Sequence, residues 1–179
     1  MRVIGVDPGN LVTGFGVVER QARLTFIAAG TIRSHAPTRG PQRLASIYQG
    51  LIAVIDQHRP AAMSLERSFV AANVQSAFAL GEARAMAMLA AAHRELRLYE
   101  YMPTEVKLSV AGFGRADKAQ VQLMVRKTLT LDAEVELADD AADALAIALC
   151  HLFRMKMAAA IDIGAASARR KLKVAQGKP

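Results

Sequence analysis

Four acidic residues in this sequence are placed where their carboxylates could hold metal ions: Asp7, Glu66, Asp140 and Asp143. The first two each end a short apolar run, which predicts a buried strand with an acid at its end. The last two are three residues apart and share one face of a predicted helix. Ligation by oxygen alone favours Mg²⁺ or Mn²⁺ over zinc. Two such ions, roughly 3.5–4 Å apart, can activate a water and stabilise the leaving oxygen in phosphoryl transfer.

Asp7 by itself supports two interpretations. It follows the apolar residues 3–6 and precedes Pro8 and Gly9. Pro8 favours extended geometry at Asp7, and Gly9 can adopt the positive φ of a sharp turn. An acid in this position commonly caps a turn, and this segment alone favours that role. Only the acids elsewhere in the chain favour a shared pocket.

The elements around these acids predict an α/β fold. Residues 13–20 and 24–32 extend the first strand into a meander. Apolar residues at helical spacing between 44 and 55 then lead to the apolar segment 61–66. The right-handed crossover rule makes that strand parallel to the first. Asp7 and the acid that ends the second run therefore face one crevice, at the sheet edge where open α/β folds bind ligands.

The second half of the chain predicts further elements on both faces of a five-stranded mixed sheet. A long helix rich in Ala and Met covers about 73–93, and a fifth strand covers 96–101. Thr104 and Asp117 are predicted to open two further helices. The final helix contains residues 138–149, where an acid among core-facing alanines needs a partner because an unpaired buried charge is costly.

Composition limits the class of protein. A chain of 179 residues with 53% hydrophobic content favours one compact domain, predicted over residues 1–157. The net charge of +7 favours a polyanionic partner. Residues 158–179 are predicted as a basic, loosely ordered tail. The single cysteine, Cys150, excludes an intrachain disulfide and is predicted as a core thiol. With no apolar run of 18 residues, we expect a soluble cytoplasmic protein.

Three segments of the sequence together resemble the RuvC-type Holliday-junction endonucleases, which have a ribonuclease-H-like fold. They are residues 5–9 followed by 13–16, Glu66 followed by Phe69, and residues 140–148. Each stands in the order and spacing of that family, and the resemblance covers most of the chain. We therefore expect a ribonuclease-H-like domain.

The resemblance implies a function for each candidate residue. It implies that the four acids named above bind the metal ions and catalyse a pair of symmetrical nicks across a four-way DNA junction, leaving 5′-phosphate and 3′-hydroxyl ends. Lys107 and Lys118 match basic positions that would hold phosphate near the metals. Phe69 matches a position that stacks on or wedges between bases at the crossover, although isolated loop aromatics usually fold onto the core. The implied partners are junction DNA and the branch-migration machinery.

The identity of the third acid stays open on spacing alone. Asp139 is four residues before Asp143 and also shares its helical face. Asp139 could equally cap the N-terminus of the helix. Only the family pattern selects Asp140.

The long helix over 73–93 predicts a homodimer. Its apolar residues surround much of the helix, whereas one sheet can bury only one face: Ala77, Phe78, Leu80, Ala83, Met86, Ala87, Leu89 and Ala90. A four-way junction has approximate two-fold symmetry, so paired nicks require two active sites related by the same axis. A fully buried helix in a monomer is the alternative interpretation.

Two other classes of protein compete with the nuclease. A sugar-kinase or actin-like phosphotransferase also presents an acid after its first strand, but such proteins need two lobes and this chain is too short. A junction-binding or RNA-processing relative without nuclease activity would keep the fold. The presence of all four acids disfavours that second alternative.

Overall fold

The computed structural model describes residues 1–9, 11–33, 40–67, 73–132 and 134–175, with side chains described as far as residue 158. Five strands and five helices follow one another in these ranges: β1 (Arg2–Pro8), β2 (Val12–Arg20), β3 (Leu24–Arg33), α1 (Pro41–His58), β4 (Ala62–Glu66), α2 (Val74–His93), β5 (Arg97–Tyr101), α3 (Pro103–Ala111), α4 (Lys118–Leu129) and α5 (Asp139–Ala175).

The strands form one mixed sheet in the order β3-β2-β1-β4-β5. β1 pairs antiparallel with β2, and β2 pairs antiparallel with β3. β1 pairs parallel with β4, and β4 pairs parallel with β5. The predicted five-stranded mixed sheet is confirmed. β1 lies at its centre, so the end of β1 and the end of β4 are neighbours at the same edge.

Two helical layers cover the sheet, and β1 is buried on both faces. Ile4 and Val6 pack with residues of α1 and α2 in one core cluster. Val3 packs with residues of α3, α4 and α5 in the other. Apolar side chains on both faces remove the alternation of polar and apolar residues, which explains the unbroken apolar run at the start of the chain.

Two glycines in the sheet let α5 lie directly on β1 and β2. A Cβ added at Gly5 would stand 2.0 Å from the carbonyl oxygen of Ala144, and one added at Gly14 would stand 2.0 Å from that of Asp140. No side chain fits at either distance. The first turn of α5 can therefore approach the end of β1 only because these strand positions lack a side chain.

Of the two residues predicted to open helices, Asp117 is confirmed as an N-cap and Thr104 is not. Asp117 caps α4, where its carboxylate accepts from the backbone N–H of Gln120 at 2.8 Å. The prediction that Thr104 caps α3 is wrong. The N-cap residue is Met102, two residues earlier, and the helix begins at Pro103. Proline suits the first helical position because it lacks an N–H that would go unpaired there.

The backbone of the predicted tail is helical as far as Ala175, as a continuation of α5. Side chains from residue 159 onward and the backbone of residues 176–179 lie outside the described residues. The division between a domain over 1–157 and a separate tail stays a prediction. Cys150 is buried, as expected for a core thiol. In the described part of the chain, no helix is both apolar enough and long enough to cross a bilayer.

Candidate active site

Asp7 lies at the end of β1, opposite Gly14 of β2. Its side chain is partly buried. Burial, followed by the negative charges of Glu66, Asp143 and Asp140, raises the pKa of Asp7 to about 7, whereas Lys118 acts in the opposite direction. A carboxylate whose pKa is raised by burial and by three neighbouring carboxylates lies in a negative environment. This environment favours either a bound proton or a bound cation.

Glu66 is the last residue of β4, the parallel neighbour of β1. Burial and the charge of Asp143 raise its pKa, and Lys107 counteracts them. Because β1 and β4 are parallel neighbours, Asp7 and Glu66 lie at the same edge of the sheet, as the sequence predicts. The charge of Glu66 also acts on Asp7.

The first turns of α5 supply the other acids. Asp143 has a side chain that is 28% exposed, and burial raises its pKa despite a hydrogen bond from Lys118. Asp140 is partly buried, and its charge contributes to the raised pKa of Asp7. The structure therefore brings the four predicted acids together at one edge of the sheet.

Asp139 has a different environment. Its side chain is 70% exposed, and its carboxylate accepts from Gln122 at 3.0 Å. It also lies 3.3 Å from the ammonium group of Lys118. These two hydrogen bonds lower the pKa of Asp139. Asp140, in contrast, is the acid whose charge acts on Asp7, so the geometry favours Asp140 where spacing left both open.

Both predicted lysines line the same small cavity as two of the acids. This cavity of about 190 Å³ is bounded by Glu66, Pro103, Val106, Lys107, Lys118, Val121, Asp143 and Ala146. The Lys118 ammonium lies 3.0 Å from the Asp143 carboxylate. Burial lowers the pKa of Lys118, but its hydrogen bonds to Asp143 and Asp139 outweigh burial and raise it. Positive charges thus lie beside the acids, where phosphate oxygens would need them.

A larger cavity, of about 570 Å³, lies at the opposite end of the sheet. Its lining includes Arg20 from the end of β2, Arg23 from the β2–β3 connection and Lys156 from α5, but no carboxylate. It therefore lacks the carboxylate oxygens that would neutralise a Mg²⁺ or Mn²⁺ ion. Two of the candidate metal-binding acids and the two lysines line the smaller cavity instead.

The acid cluster fits a divalent cation by its donor set. Among the residues that the structure describes, no three His, Cys, Asp or Glu side chains have the arrangement of a formed metal site. Lys118 instead partly neutralises the acids. Burial raises the pKa of Asp7, Glu66 and Asp143, and the charges of neighbouring carboxylates raise it further. Oxygen-rich ligand sets of this kind suit hard cations.

For Phe69 the sequence makes a prediction that the structure does not test, and for Arg84 the structure shows a contact that the sequence did not predict. Phe69 lies outside the described residues, so its predicted contact with DNA stays a prediction. Arg84 of α2 donates a hydrogen bond to the carbonyl oxygen of Glu66 at 2.8 Å, and sequence reasoning missed it. The only available signal was an arginine among alanines on a helix that packs against the sheet.

A mixed sheet with this strand order and acids at the ends of its parallel strands defines the class of protein. That class is the proteins of ribonuclease-H-like fold, with acids placed where they could hold metal ions.

Comparison with known proteins identifies the family within that class. Residues 3–151 match the family model described as crossover junction endodeoxyribonuclease RuvC. The crossover junction endodeoxyribonuclease RuvC of Dehalococcoides mccartyi is 46% identical and aligns over 84% of this chain and 90% of its own. That of Chloroflexus aggregans is 47% identical, over 86% and 93%. The chain belongs to the RuvC family of crossover junction endodeoxyribonucleases.

Solved structures agree with this assignment. Thermus thermophilus RuvC, in complex with a Holliday junction substrate, superposes with a TM-score of 0.82 at 32% identity and covers 88% of this chain and 96% of its own. The yeast mitochondrial Holliday junction resolvase Ydc2 has a TM-score of 0.59 at 12% identity, over 84% and 78% of the two chains, and shares the fold alone. The predicted family and ribonuclease-H-like fold are confirmed.

Proposed function

We propose that the protein resolves four-way DNA junctions by a pair of symmetrical nicks, with Asp7, Glu66, Asp140 and Asp143 as the catalytic acids. The observation that carries the proposal is the placement of these acids at one edge of the sheet, at the ends of the parallel strands β1 and β4 and in the first turns of α5. Burial and neighbouring carboxylates raise the pKa of Asp7, Glu66 and Asp143 there. Membership of the RuvC family supports the reaction class, and the junction-bound relative from Thermus thermophilus supports the substrate.

The acids would hold Mg²⁺ or Mn²⁺, with two ions in each site. When bound, the ions supply an activated water and stabilise the leaving 3′ oxygen, which gives 5′-phosphate and 3′-hydroxyl ends. The acids themselves neutralise the ions and fix where the scissile phosphate can lie. The pKa of Asp7, about 7 in the metal-free protein, means that metal binding must displace a proton at neutral or lower pH.

Lys107 and Lys118 would hold the phosphodiester backbone beside the acids. Both line the cavity that contains Glu66 and Asp143. Lys118 already contacts Asp143, and it can exchange that contact for a phosphate oxygen when a cation neutralises the acids. Phe69 would stack on bases at the crossover, where unpaired bases need a replacement for lost stacking.

A two-fold dimer would bring two such sites to one junction. Exposed apolar and small side chains form a stripe along α2, which we call the α2 stripe: Val74, Phe78, Gly81, Ala85, Met88, Leu89 and Ala92. These residues recur at helical spacing on the side away from the sheet. Val74 and Phe78 are each 71% exposed, a large apolar area for a monomer surface. The stripe supports a symmetric interface, and branch-migration proteins and a cytoplasmic location remain predictions.

The test is a cleavage assay on three substrates in Mg²⁺ and in Mn²⁺: a mobile four-way junction, a linear duplex of the same sequence, and ATP. We expect paired nicks at symmetric positions of the junction, products that ligase can rejoin, and no turnover of duplex or ATP. Equal cleavage of junction and duplex would contradict junction specificity. Hydrolysis of ATP without nicking of DNA would contradict the nuclease and support the phosphotransferase alternative.

A further inference from the structure

Arg84 of α2 connects the end of β4 to β5 through two different acceptors. Its guanidinium donates to the carbonyl oxygen of Glu66 at 2.8 Å and forms an ion pair with the carboxylate of Glu100. Arg67, next along the chain from Glu66, lies 3.4 Å from the same carboxylate. The Arg84 side chain is only 19% exposed, and burial lowers its pKa. A desolvated charge of this kind is retained at a cost and requires good partners.

The two faces of the sheet explain what this contact fixes. Tyr99 and Tyr101 of β5 lie against His151 of α5, so Glu100 between them faces the α2 layer. The Glu66 side chain instead lines the cavity beside Asp143 of α5. Arg84 thus holds the main chain of Glu66 from the opposite side of the sheet to the one where its carboxylate lies.

We propose that Arg84 is a positioning residue for the nuclease site, which it serves by fixing the backbone at Glu66. The proposal rests on the proposed catalytic role of Glu66. β4 ends at Glu66, where the Arg67 N–H donates to the carbonyl oxygen of Tyr101 at 2.7 Å and the carbonyl oxygen of Glu66 accepts from Arg84. One planar guanidinium that binds both the Glu66 carbonyl and the Glu100 carboxylate supplies that support. The orientation of the Glu66 carboxylate toward the α5 acids follows from it.

Lysine cannot reproduce this arrangement. An ammonium group is a point charge on a flexible stem, whereas the guanidinium holds its donors in a rigid fork that satisfies two acceptors at fixed separation. The variant Arg84→Lys keeps the charge and much of the packing. It should still reach one acceptor and leave the other without a fixed partner.

The experiment measures single-turnover nicking of a four-way junction by Arg84→Lys as a function of Mn²⁺ concentration. Groups that orient metal ligands typically change metal affinity or activity by about 10–100-fold when altered. We expect a nicking rate or Mn²⁺ half-saturation worse by a factor in that range, with junction affinity in the absence of metal within about two-fold of the unmodified protein. A merely structural ion pair would change melting temperature without changing the Mn²⁺ dependence.

Arg94→Lys is the matched control. Arg94 is the C-cap residue of α2, and its guanidinium donates two hydrogen bonds, at 2.6 and 2.8 Å, to the carboxylate of Asp56 in α1. This variant makes the same chemical change to an arginine–carboxylate pair away from the acids, and its nicking should be unchanged. A similar loss in Arg94→Lys and Arg84→Lys would overturn the positioning role.

Two further variants keep the result decisive. If Arg84→Lys does not fold, Glu100→Gln retains the shape of the partner and should give the same shift in Mn²⁺ dependence, smaller in size. Glu66→Gln separates this proposal from the proposed function. An active Glu66→Gln variant would refute the catalytic role itself. If Glu66→Gln is inactive but Arg84→Lys has a normal Mn²⁺ dependence, only the positioning role is refuted. Glu100→Gln is compared in the same way if Arg84→Lys does not fold.

Discussion

The four acids come from three elements, β1, β4 and α5, and each can be replaced without deleting the basic side chains that would bind DNA. Asp7→Asn, Glu66→Gln and Asp143→Asn should each lower junction nicking by more than about 100-fold, because direct metal ligands matter at least as much as the groups that orient them. Binding should persist, because the lysines and arginines hold the phosphates. Gel assays of nicking with metal and of junction binding without metal will check both outcomes.

Nicking by any of these three variants near the unmodified rate would contradict the assignment of that acid. Loss of junction binding together with nicking would show that the substitution had disturbed the fold, which a melting curve measured beside the assay will reveal.

The adjacent acids at the start of α5 give a sharper comparison. Asp140→Asn should abolish nicking, because the Asp140 charge acts on Asp7 within the acid cluster. Asp139→Asn should retain most activity, because the Asp139 carboxylate is 70% exposed and bonded to Gln122 and Lys118. Single-turnover rates of the two variants on one junction will decide. The reverse order of activities would transfer the catalytic role to Asp139.

Asp7 also predicts how the stability of the metal-free protein depends on pH. Its folded pKa of about 7 lies above the ordinary value of 3.8, so the folded state binds the extra proton and Asp7 costs stability as pH rises through 7. Asp7→Asn removes that cost. In chelator we expect the variant to be more stable than the unmodified protein by roughly 2–4 kcal/mol at pH 8, a difference that shrinks as pH falls toward 4.

Denaturant unfolding at several pH values will measure this difference. Saturating Mn²⁺ should reverse the order at pH 8, because the cation stabilises the cluster of the unmodified protein and the variant has lost a ligand. A stability difference that does not change with pH would mean that Asp7 is not titrating in this range.

At the scale of elements, the contact of α5 with the sheet sets the position of two acids. Gly14→Ala places a methyl group 2.0 Å from the carbonyl oxygen of Asp140, which is much closer than two non-bonded atoms can approach. The first turn of α5 must move outward, carrying Asp140 away from Asp7. We expect nicking to fall by at least about ten-fold and stability to fall by about 1–3 kcal/mol, the usual cost of an overpacked core.

Nicking rate and thermal melting of Gly14→Ala will test this expectation. The melting curve identifies the temperatures at which the variant is fully folded. Metal-dependent nicking should be lower than that of the unmodified protein even at those temperatures. Normal nicking in a fully folded variant would show that the start of α5 tolerates displacement and that the close approach at Gly14 does not set the site.

Local patterns in the sequence were sufficient to predict the sheet and to place Asp7 and Glu66 at one edge of it, but not to choose between Asp139 and Asp140 or to predict the contacts between elements. The apolar runs that end at Asp7 and Glu66 carry their own strand signal, and the crossover rule brings them to one edge. Thr104 was misassigned as a cap because Pro103 is itself a good first helical residue. The contact of Arg84 with the Glu66 carbonyl joins residues 18 positions apart on different layers, and no periodicity encodes it.

At the scale of the whole molecule, the α2 stripe predicts the oligomeric state. Leu89 is 40% exposed, whereas Met86 packs against the core, so Leu89 is the residue to change. Leu89→Asp should give a monomer, because a buried unpaired charge is costly in an apolar interface. Sedimentation of the unmodified protein should show a dimer at micromolar concentration, and the variant should lose coupling between the two nicks of a junction.

Met157→Asp makes the same type of change at an exposed methionine on α5, 64% exposed, and should leave the sedimentation unchanged. A monomeric unmodified protein, even with junction DNA bound, would contradict the dimer.

The position of α5 along the chain has a consequence for how the enzyme is made. β1 is synthesised before the other strands, but the helix that covers one face of it and supplies Asp140 and Asp143 comes more than 130 residues later. Contacts over such separations form late in folding because a long loop must first close. A nascent chain can therefore assemble its strands without a working cutting site. An enzyme that breaks DNA thereby gains its chemistry only in the last stage of its own folding.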